Sequence, residues 1–333
     1  MAGYMTISER EKWQEELARA SITAEDLFKQ LRLPVESLYV DRNFPLRVPD
    51  SFVRRMELGN IQDPLLLQVL PQAREQVLAT GFVSDPLQEK QVVPLKGLLH
   101  KYKSRVLLVV TGGCAIHCRY CFRRHFPYDE HAITKEQWLA IKLYIQSHPE
   151  VNEVILSGGD PLILKEVSLA KLFSDIESIP HIRRIRIHTR IPIVLPERMT
   201  VSFWQMLDDC KLPIILVLHS NHANEINDEV VKAIRPAASK GITLLNQAVL
   251  LSGINNSVEA QVNLSEALFA AGVMPYYLHL LDPVQGASHF NVSEEKAVQL
   301  MKALLLELPG FLVPTLVREE PGKGSKTPIA LLI

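Results

Sequence analysis

Charge of one sign, long apolar runs and cysteine are all scarce in this chain, and each scarcity narrows what it can be. Lys and Arg total 36 against 37 Asp and Glu, a formal net charge of −1 over 333 residues, and no long basic run occurs. Electrostatic binding to nucleic acid or to an anionic membrane is therefore not implied. No stretch approaches the roughly 18 uninterrupted apolar residues of a membrane-spanning helix. The opening "MAGYMTISEREKW" turns polar almost at once and has no apolar core, so no secretory leader is expected. Four cysteines, three of them clustered, do not make a disulfide framework, and a reducing cytoplasm is the expected home. What is present is ordinary for a globular enzyme: 47% hydrophobic and 22% charged residues. The length suits one large α/β domain, or a core domain with an extension.

The first hundred residues read as helical and irregular. Ser8 with Glu11, and Thr23 with Asp26, stand at capping-box spacing, and "DPLLLQVL" puts Asp63 at an N-cap and Pro64 at N1. Frequent prolines (Pro34, Pro45, Pro49, Pro64, Pro71, Pro86, Pro94) keep these helices short. Residues 1–100 are thus expected to form a helical N-terminal extension, a cap or dimerisation layer that makes a homo-oligomer the expected assembly. From residue 105 short β-branched runs take over: "RVLLVV", "EVILS", "RRIRIHT", "IILVLHS", "TLLNQAVL" and "YYLHLL". Helical stretches such as "TKEQWLAIKLYIQSH" and "SEEKAVQLMKALLLE" separate them, and "FLVPTLVREE" is a last extended run. This alternation predicts a parallel sheet with right-handed crossovers over 101–310, followed by a C-terminal segment, 311–333. Six β–α units suit either a doubly wound sheet or an incomplete barrel. In both, function sits on the loops after the strands.

One such loop holds "CAIHCRYCFRRH". Its cysteines, Cys114, Cys118 and Cys121, are spaced C-x3-C-x2-C, whereas Cys210 lies far away in "WQMLDDCKLP" and reads as a small packed residue. Clustered thiolates bind a soft metal or a cluster. A zinc site would want paired C-x2-C spacing; only Cys118 and Cys121 have it, with His117 and His125 as nearby nitrogen donors. Buried, inert cysteines are the plainer reading. The third is a four-iron cluster held by three cysteines, one iron being left open to an outside ligand.

With Tyr120 before its last cysteine, the triplet resembles the radical S-adenosylmethionine (SAM) superfamily. The resemblance implies a [4Fe-4S] cluster whose open iron is chelated by the methionine end of SAM. "SGGDPL" after the second strand would by itself be a turn. Within the resemblance, Ser157, Gly158, Gly159 and Asp160 belong to the SAM site, glycine carbonyls and the Asp160 side chain receiving the methionine ammonium.

From about residue 40 to 330 the chain is similar to the lysine 2,3-aminomutase family. The matching stretches include "LLHKYKSRVLLVVTGGCAIHCRYCFRRH", "ILSGGDPL", "RIRIHTRIPIVLPERM", "HANE", "LLNQAVLLSGIN", "GVMPYYLHLLDPVQGASHF" and "EEPGKGSKTP". "CFRRHFPY" resembles the EpmB branch, which acts in elongation factor P β-lysylation. The resemblance implies an α/β fold, a partial (β/α)6 radical SAM barrel with a helical N-terminal extension and a short C-terminal segment carrying a pyridoxal phosphate lysine. It implies an isomerase converting L-α-lysine to (R)-β-lysine, with the cluster, SAM and pyridoxal 5′-phosphate as cofactors. An external one-electron reductant, elongation factor P and its lysyl ligase are the implied partners.

The same resemblance assigns roles to residues. Lys326 in "PGKGSK" would be the pyridoxal lysine, with Lys323 its neighbour and competitor; on residue type alone either is a solvated charge on a glycine-rich loop. Lys101 and Arg105 would hold the cofactor phosphate, Lys101 standing where the family pattern has Arg. Arg123 would pair with the substrate α-carboxylate, though it, like Arg124, could be a structural ion pair. Asp282 and Glu319 would receive the ε-ammonium. Glu319 stands where the pattern has Asp, Glu320 is its alternative, and Asp282 before Pro283 could be a turn residue. Gln247, with Asn246 beside it, would contact SAM or else make a core hydrogen bond. Two other functions share parts of this pattern: an aminomutase for glutamate or arginine, and a non-catalytic metal-binding interaction protein. An acidic pair at 282 and 319 argues against glutamate, and an interaction protein has no use for triplet, G-G-D-P turn and glycine-rich lysine together.

Overall fold

A computed structural model of the chain describes residues 7–34, 39, 41, 44–127 and 133–331. Nine strands form one sheet in sequence order: β1 (Leu98–Tyr102), β2 (Arg105–Thr111), β3 (Glu153–Gly158), β4 (Arg184–Thr189), β5 (Ile214–Leu218), β6 (Thr243–Val249), β7 (Met274–His279), β8 (Thr315–Arg318) and β9 (Thr327–Pro328). Strands β2 to β8 pair in parallel, while β1 and β9 add antiparallel edges. A doubly wound sheet must reverse its strand order at one point, and this order never reverses. Right-handed crossovers then put every helix on one face, and the sheet curls away from them into a partial barrel. Its two edge strands stand at opposite ends of the order, so the barrel is open.

The N-terminal part supplies α1 (Ile7–Arg19), α2 (Ala24–Gln30) and α3 (Asp50–Val53). The crossovers carry α4 (Lys135–Gln146), α5 (Glu166–Glu177), α6 (Ile191–Val194), α7 (Val201–Asp208), α8 (Asp228–Ile234), α9 (Pro236–Ser239), α10 (Val258–Ala270) and α11 (Glu294–Glu307). Local chemistry starts them. The Thr23 hydroxyl accepts from the Asp26 amide at 3.1 Å, and Thr134 and Gln137 form a reciprocal capping box on α4. Asp63 does cap, accepting from the Leu65 and Leu66 amides, but the element it starts is a short 3-10 turn rather than the expected helix. The box expected at Ser8 and Glu11 involves side chains outside the described residues. The last extended run is shorter than its sequence suggests, because Gly310–Leu312 closes a 3-10 turn before β8.

Strand β4 shows how one sequence serves two sides. Ile185 and Ile187 are buried in the apolar core, while Arg184, Arg186 and His188 face the space inside the curl. Trp13, Phe28 and Phe52 share one continuous core with Ile191, Phe203 and the strand residues. The N-terminal layer therefore shares the apolar core that the barrel's strands and helices form outside the cavity. Among the described residues no helix is long and apolar enough to cross a membrane.

Candidate active site

The loop after β2 runs through the three cysteines and is held from behind by the N-terminal layer. Arg47 donates through Nε to the Cys114 carbonyl at 2.8 Å, and its own carbonyl accepts from the His117 amide at 2.9 Å. Arg119, fully buried, is clasped by Glu75 and Asp41, which also hold Arg124. Arg124 is therefore part of the frame. His117 stacks on Phe44 with ring centroids 4.8 Å apart, and His125 approaches the Gln285 carbonyl at 3.2 Å; neither faces the interior. Cys210 sits apart, its thiol 3.7 Å from the Leu212 carbonyl.

Cys114, Cys118 and Cys121 are free thiols that line one cavity of about 610 Å³ inside the barrel. Burial, then the neighbouring sulfurs, pushes the Cys114 thiol well above its ordinary value and that of Cys121 up to about 12. The Cys114 and Cys121 sulfurs therefore favour the thiolate only beside a cationic centre. Among the described residues no three His, Cys, Asp or Glu side chains converge as around a single metal ion. A four-iron cluster instead takes its three thiolates on three separate irons, a wider spread. The donor set fits a cluster better than zinc. Arg190 supports it: Nη1 lies 2.7 Å from the Cys118 sulfur and 2.7 Å from the Tyr120 hydroxyl, and Nη2 contacts Gln68 and Glu225. Burial opposes its charge, but Cys118, Tyr120 and Glu225 outweigh burial and keep it charged. The motifs in the sequence do not single out Arg190, although its place one residue after β4, at the C-terminal rim, marks it as a candidate.

The loop after β3 wedges against the cysteine loop. Gly158 has φ +118°, and a Cβ on Gly159 would lie 2.1 Å from the Gly113 carbonyl oxygen. Amides of Gly159 and Asp160 donate across the wedge to the carbonyls of Thr111 and Gly113, both at 2.7 Å. The Asp160 carboxylate accepts from the amides of Leu162, Arg190 and Ile191 and from the Thr189 hydroxyl. These four bonds occupy a carboxylate's usual capacity. Asp160 thus also braces the rim.

Charged groups line the walls. Arg123 is gripped through Nε and Nη2 by Glu89 at 2.8 and 2.6 Å, and Nη1 lies 3.3 Å from the Ser157 hydroxyl. Asp282, just beyond β7, faces the cavity; burial, then Glu319, raises its carboxyl to about 7. Glu319 accepts from Lys101 at 2.7 Å, Tyr102 at 2.9 Å and Lys326 at 2.8 Å. Burial works against the Glu319 charge, yet Lys326 and Lys101 outweigh it and hold the carboxyl far below the ordinary range. Glu320 turns outward to the Thr327 hydroxyl, and Lys323 is exposed. Arg105 lines the cavity with its guanidinium 4.1 Å from the Tyr102 ring centroid, whereas Lys101 reaches Glu319 from behind the wall.

Gln247 lines the cavity and its Oε1 is buried without a partner among the described residues; Asn246 instead bonds both backbone groups of Ser220 in the core. His188, His219 and His279 complete the lining. Burial lowers all three, His219 to about 3, so they are neutral, and Nε2 of His188 and of His279 has no partner among the described residues. Buried polar atoms without partners facing a cavity of this size mark a ligand site. The fold therefore gathers Cys114, Cys118, Cys121, Arg123, Ser157, Gly158, Gly159, Asp160, Gln247, Asp282, Glu319 and Lys326 around one space.

Comparison with known proteins agrees with this geometry. The radical SAM superfamily model matches residues 108–260. The L-lysine 2,3-aminomutase of Escherichia coli (strain K12) is 49% identical over 99% of this chain and 98% of its own length. The enzyme of the same name from Haemophilus influenzae is 46% identical, over 96% of each chain. That of Buchnera aphidicola subsp. Baizongia pistaciae is 45% identical, over 97% of this chain and 96% of its own.

Proposed function

The chain belongs to the lysine 2,3-aminomutase family of the radical SAM superfamily, and from that premise we propose that it moves the α-amino group of L-lysine to Cβ, giving (R)-β-lysine. It is an isomerase with a radical SAM core, which implies a [4Fe-4S] cluster and SAM. The proposal adds pyridoxal 5′-phosphate at Lys326 and delivery of the product, through a lysyl ligase, to elongation factor P. It also includes a cytoplasmic setting with an external one-electron reductant, and a homo-oligomeric assembly. One observation carries the reading: three thiols, a glycine rim, an arginine, two acids and a lysine face one another across a single cavity.

When bound, the cluster and SAM supply reversible hydrogen-atom transfer, and pyridoxal phosphate supplies the aldehyde that carries the migrating nitrogen. The protein's part is placement. Cys114, Cys118 and Cys121 would hold the cluster, with Arg190 balancing the charge on Cys118. Carbonyls of the Gly158–Gly159 rim, and Gln247, would hold SAM. Arg105, with Lys101 behind it, would meet the cofactor phosphate. Arg123 would take the α-carboxylate. Asp282 would accept from the ε-ammonium, and Glu319 would join it once Lys326 leaves its carboxylate. Neutral His188, His219 and His279 add polar contacts without charge. The reading is tested by anaerobic turnover: iron-reconstituted protein with pyridoxal phosphate, SAM, dithionite and L-lysine, the products resolved by mass spectrometry. β-Lysine formed many times per SAM is the expected result. SAM cleavage without β-lysine would leave the radical SAM core standing and overturn the substrate.

A further inference from the structure

Glu89 lies outside the barrel in sequence and inside its cavity in space. It belongs to a strap, residues 83–92, that crosses the rim from the N-terminal layer. One end of the strap is pinned beside Asp282: the Val83 amide donates to the Pro283 carbonyl at 2.9 Å, and the Gln285 amide to the Val83 carbonyl at 3.0 Å. The other end turns inward at Gln88, a non-glycine residue at φ +50° and ψ +41°. Such a conformation carries strain that the surroundings must offset. What it achieves is the direction of Glu89, whose amide is held by Asp85 at 3.0 Å and whose carboxylate then meets Arg123 in a two-point grip. Both partners are only 7% exposed. A grip on Nε and Nη2 fixes the plane and rotation of the guanidinium, and bidentate pairs are sensitive to both.

We propose that Glu89 is a positioning residue for recognition of the substrate carboxylate, acting through Arg123. The inference rests on the reading of Arg123 as the carboxylate's partner. It adds that the strap couples the two ends of the substrate, since the same segment is anchored next to Asp282 and next to Arg123. Glu89→Gln halves the grip and removes its charge. Arg123 stays in place but its orientation is no longer fixed, and a ligand that needs a two-point contact loses affinity.

The test is a binding titration of the reconstituted holoenzyme without SAM or reductant, read through the visible absorbance of pyridoxal phosphate. Two ligands are compared: L-lysine, and cadaverine, which is lysine without its carboxylate. Glu89→Gln is expected to weaken lysine binding about tenfold or more, with cadaverine binding unchanged, and Arg123→Ala to do the same more severely. Equal weakening of both ligands in Glu89→Gln would show a merely structural role and overturn the inference. Discrimination lost in Arg123→Ala but kept in Glu89→Gln would overturn it while leaving the Arg123 reading intact. Discrimination kept in both would overturn the Arg123 reading and the inference with it. Should Glu89→Gln not fold, Glu89→Asp carries the same comparison, keeping the charge but shortening the reach.

Discussion

At the scale of single residues, Asp282 and Glu319 show how two acids in one cavity come to do different things. Glu319 is held by Lys101, Tyr102 and Lys326 and stays charged, while Asp282 has its carboxyl raised to about 7 by burial and then by Glu319. A raised acid keeps its proton longer, so the charged form that attracts an ammonium is lost as pH falls through about 7. The kcat/KM for lysine, which reports the free enzyme, should therefore fall below about pH 7 with an acid limb that Asp282→Asn removes. That variant should show a low kcat/KM on a flat limb; an unchanged limb would assign the titration elsewhere. Arg190 gives a second case. Replacing it by Met leaves Glu225, buried with no exposure, short of its cation, and breaking a buried pair costs about 3–5 kcal/mol. The denaturation midpoint should drop accordingly. Iron content after reconstitution should drop too, because the Cys118 sulfur loses its donor.

At the scale of elements, the working unit is the pair of loops after β2 and β3, which touch through glycine backbone. No Cβ fits at Gly159, so Gly159→Ala must push the two loops apart. Since the cysteines ride on one loop and the glycine rim on the other, we expect SAM affinity to fall by at least an order of magnitude. Equilibrium binding would measure it, with Gly310→Ala, at an open position without a positive φ, as a backbone control. This region also shows what a sequence reveals. The strands were readable because β-branched runs, turn residues and helix caps are local signals, and the cysteine, G-G-D-P and glycine-rich lysine motifs are local too. Pairings between distant residues were not. Arg123 meets Glu89 across 34 positions and Lys101 meets Glu319 across 218, and neither leaves a mark in either stretch. Asp160 leaves a similar gap: its motif suggests a ligand contact, and nothing in that stretch shows that its carboxylate also takes bonds from residues at the end of β4 and just beyond it.

At the scale of the whole molecule, the question is whether the N-terminal layer is a separate cap or part of the barrel. Trp13 on α1 is 2% exposed, and the Arg198 guanidinium lies 4.6 Å from its ring centroid and 4.9 Å from that of Phe203. Arg198 in turn donates to the carbonyls of Leu162 and Leu164 and pairs with Glu166, so α1 is tied to the turn after Asp160. Ser51 links the Glu16 carboxylate to the Val194 carbonyl, and Arg55 reaches the carbonyls of Ile193 and Glu225. Nothing in this chain of contacts offers a plane along which the layer could separate without exposing barrel core. Trp13→Ala should therefore cost about 3–5 kcal/mol, the usual range for emptying a buried aromatic site. The loss should appear as a single cooperative transition moved to lower temperature. Far-ultraviolet circular dichroism, which tracks all helices, and the visible absorbance of the reconstituted cluster, which tracks the rim, should shift together. If the layer were an independent domain, Trp13→Ala would instead split the transition and leave the rim's midpoint where it was. Because Arg198 holds the Leu162–Leu164 turn, the coupled outcome would also make this distant tryptophan a determinant of how well the barrel keeps its SAM rim.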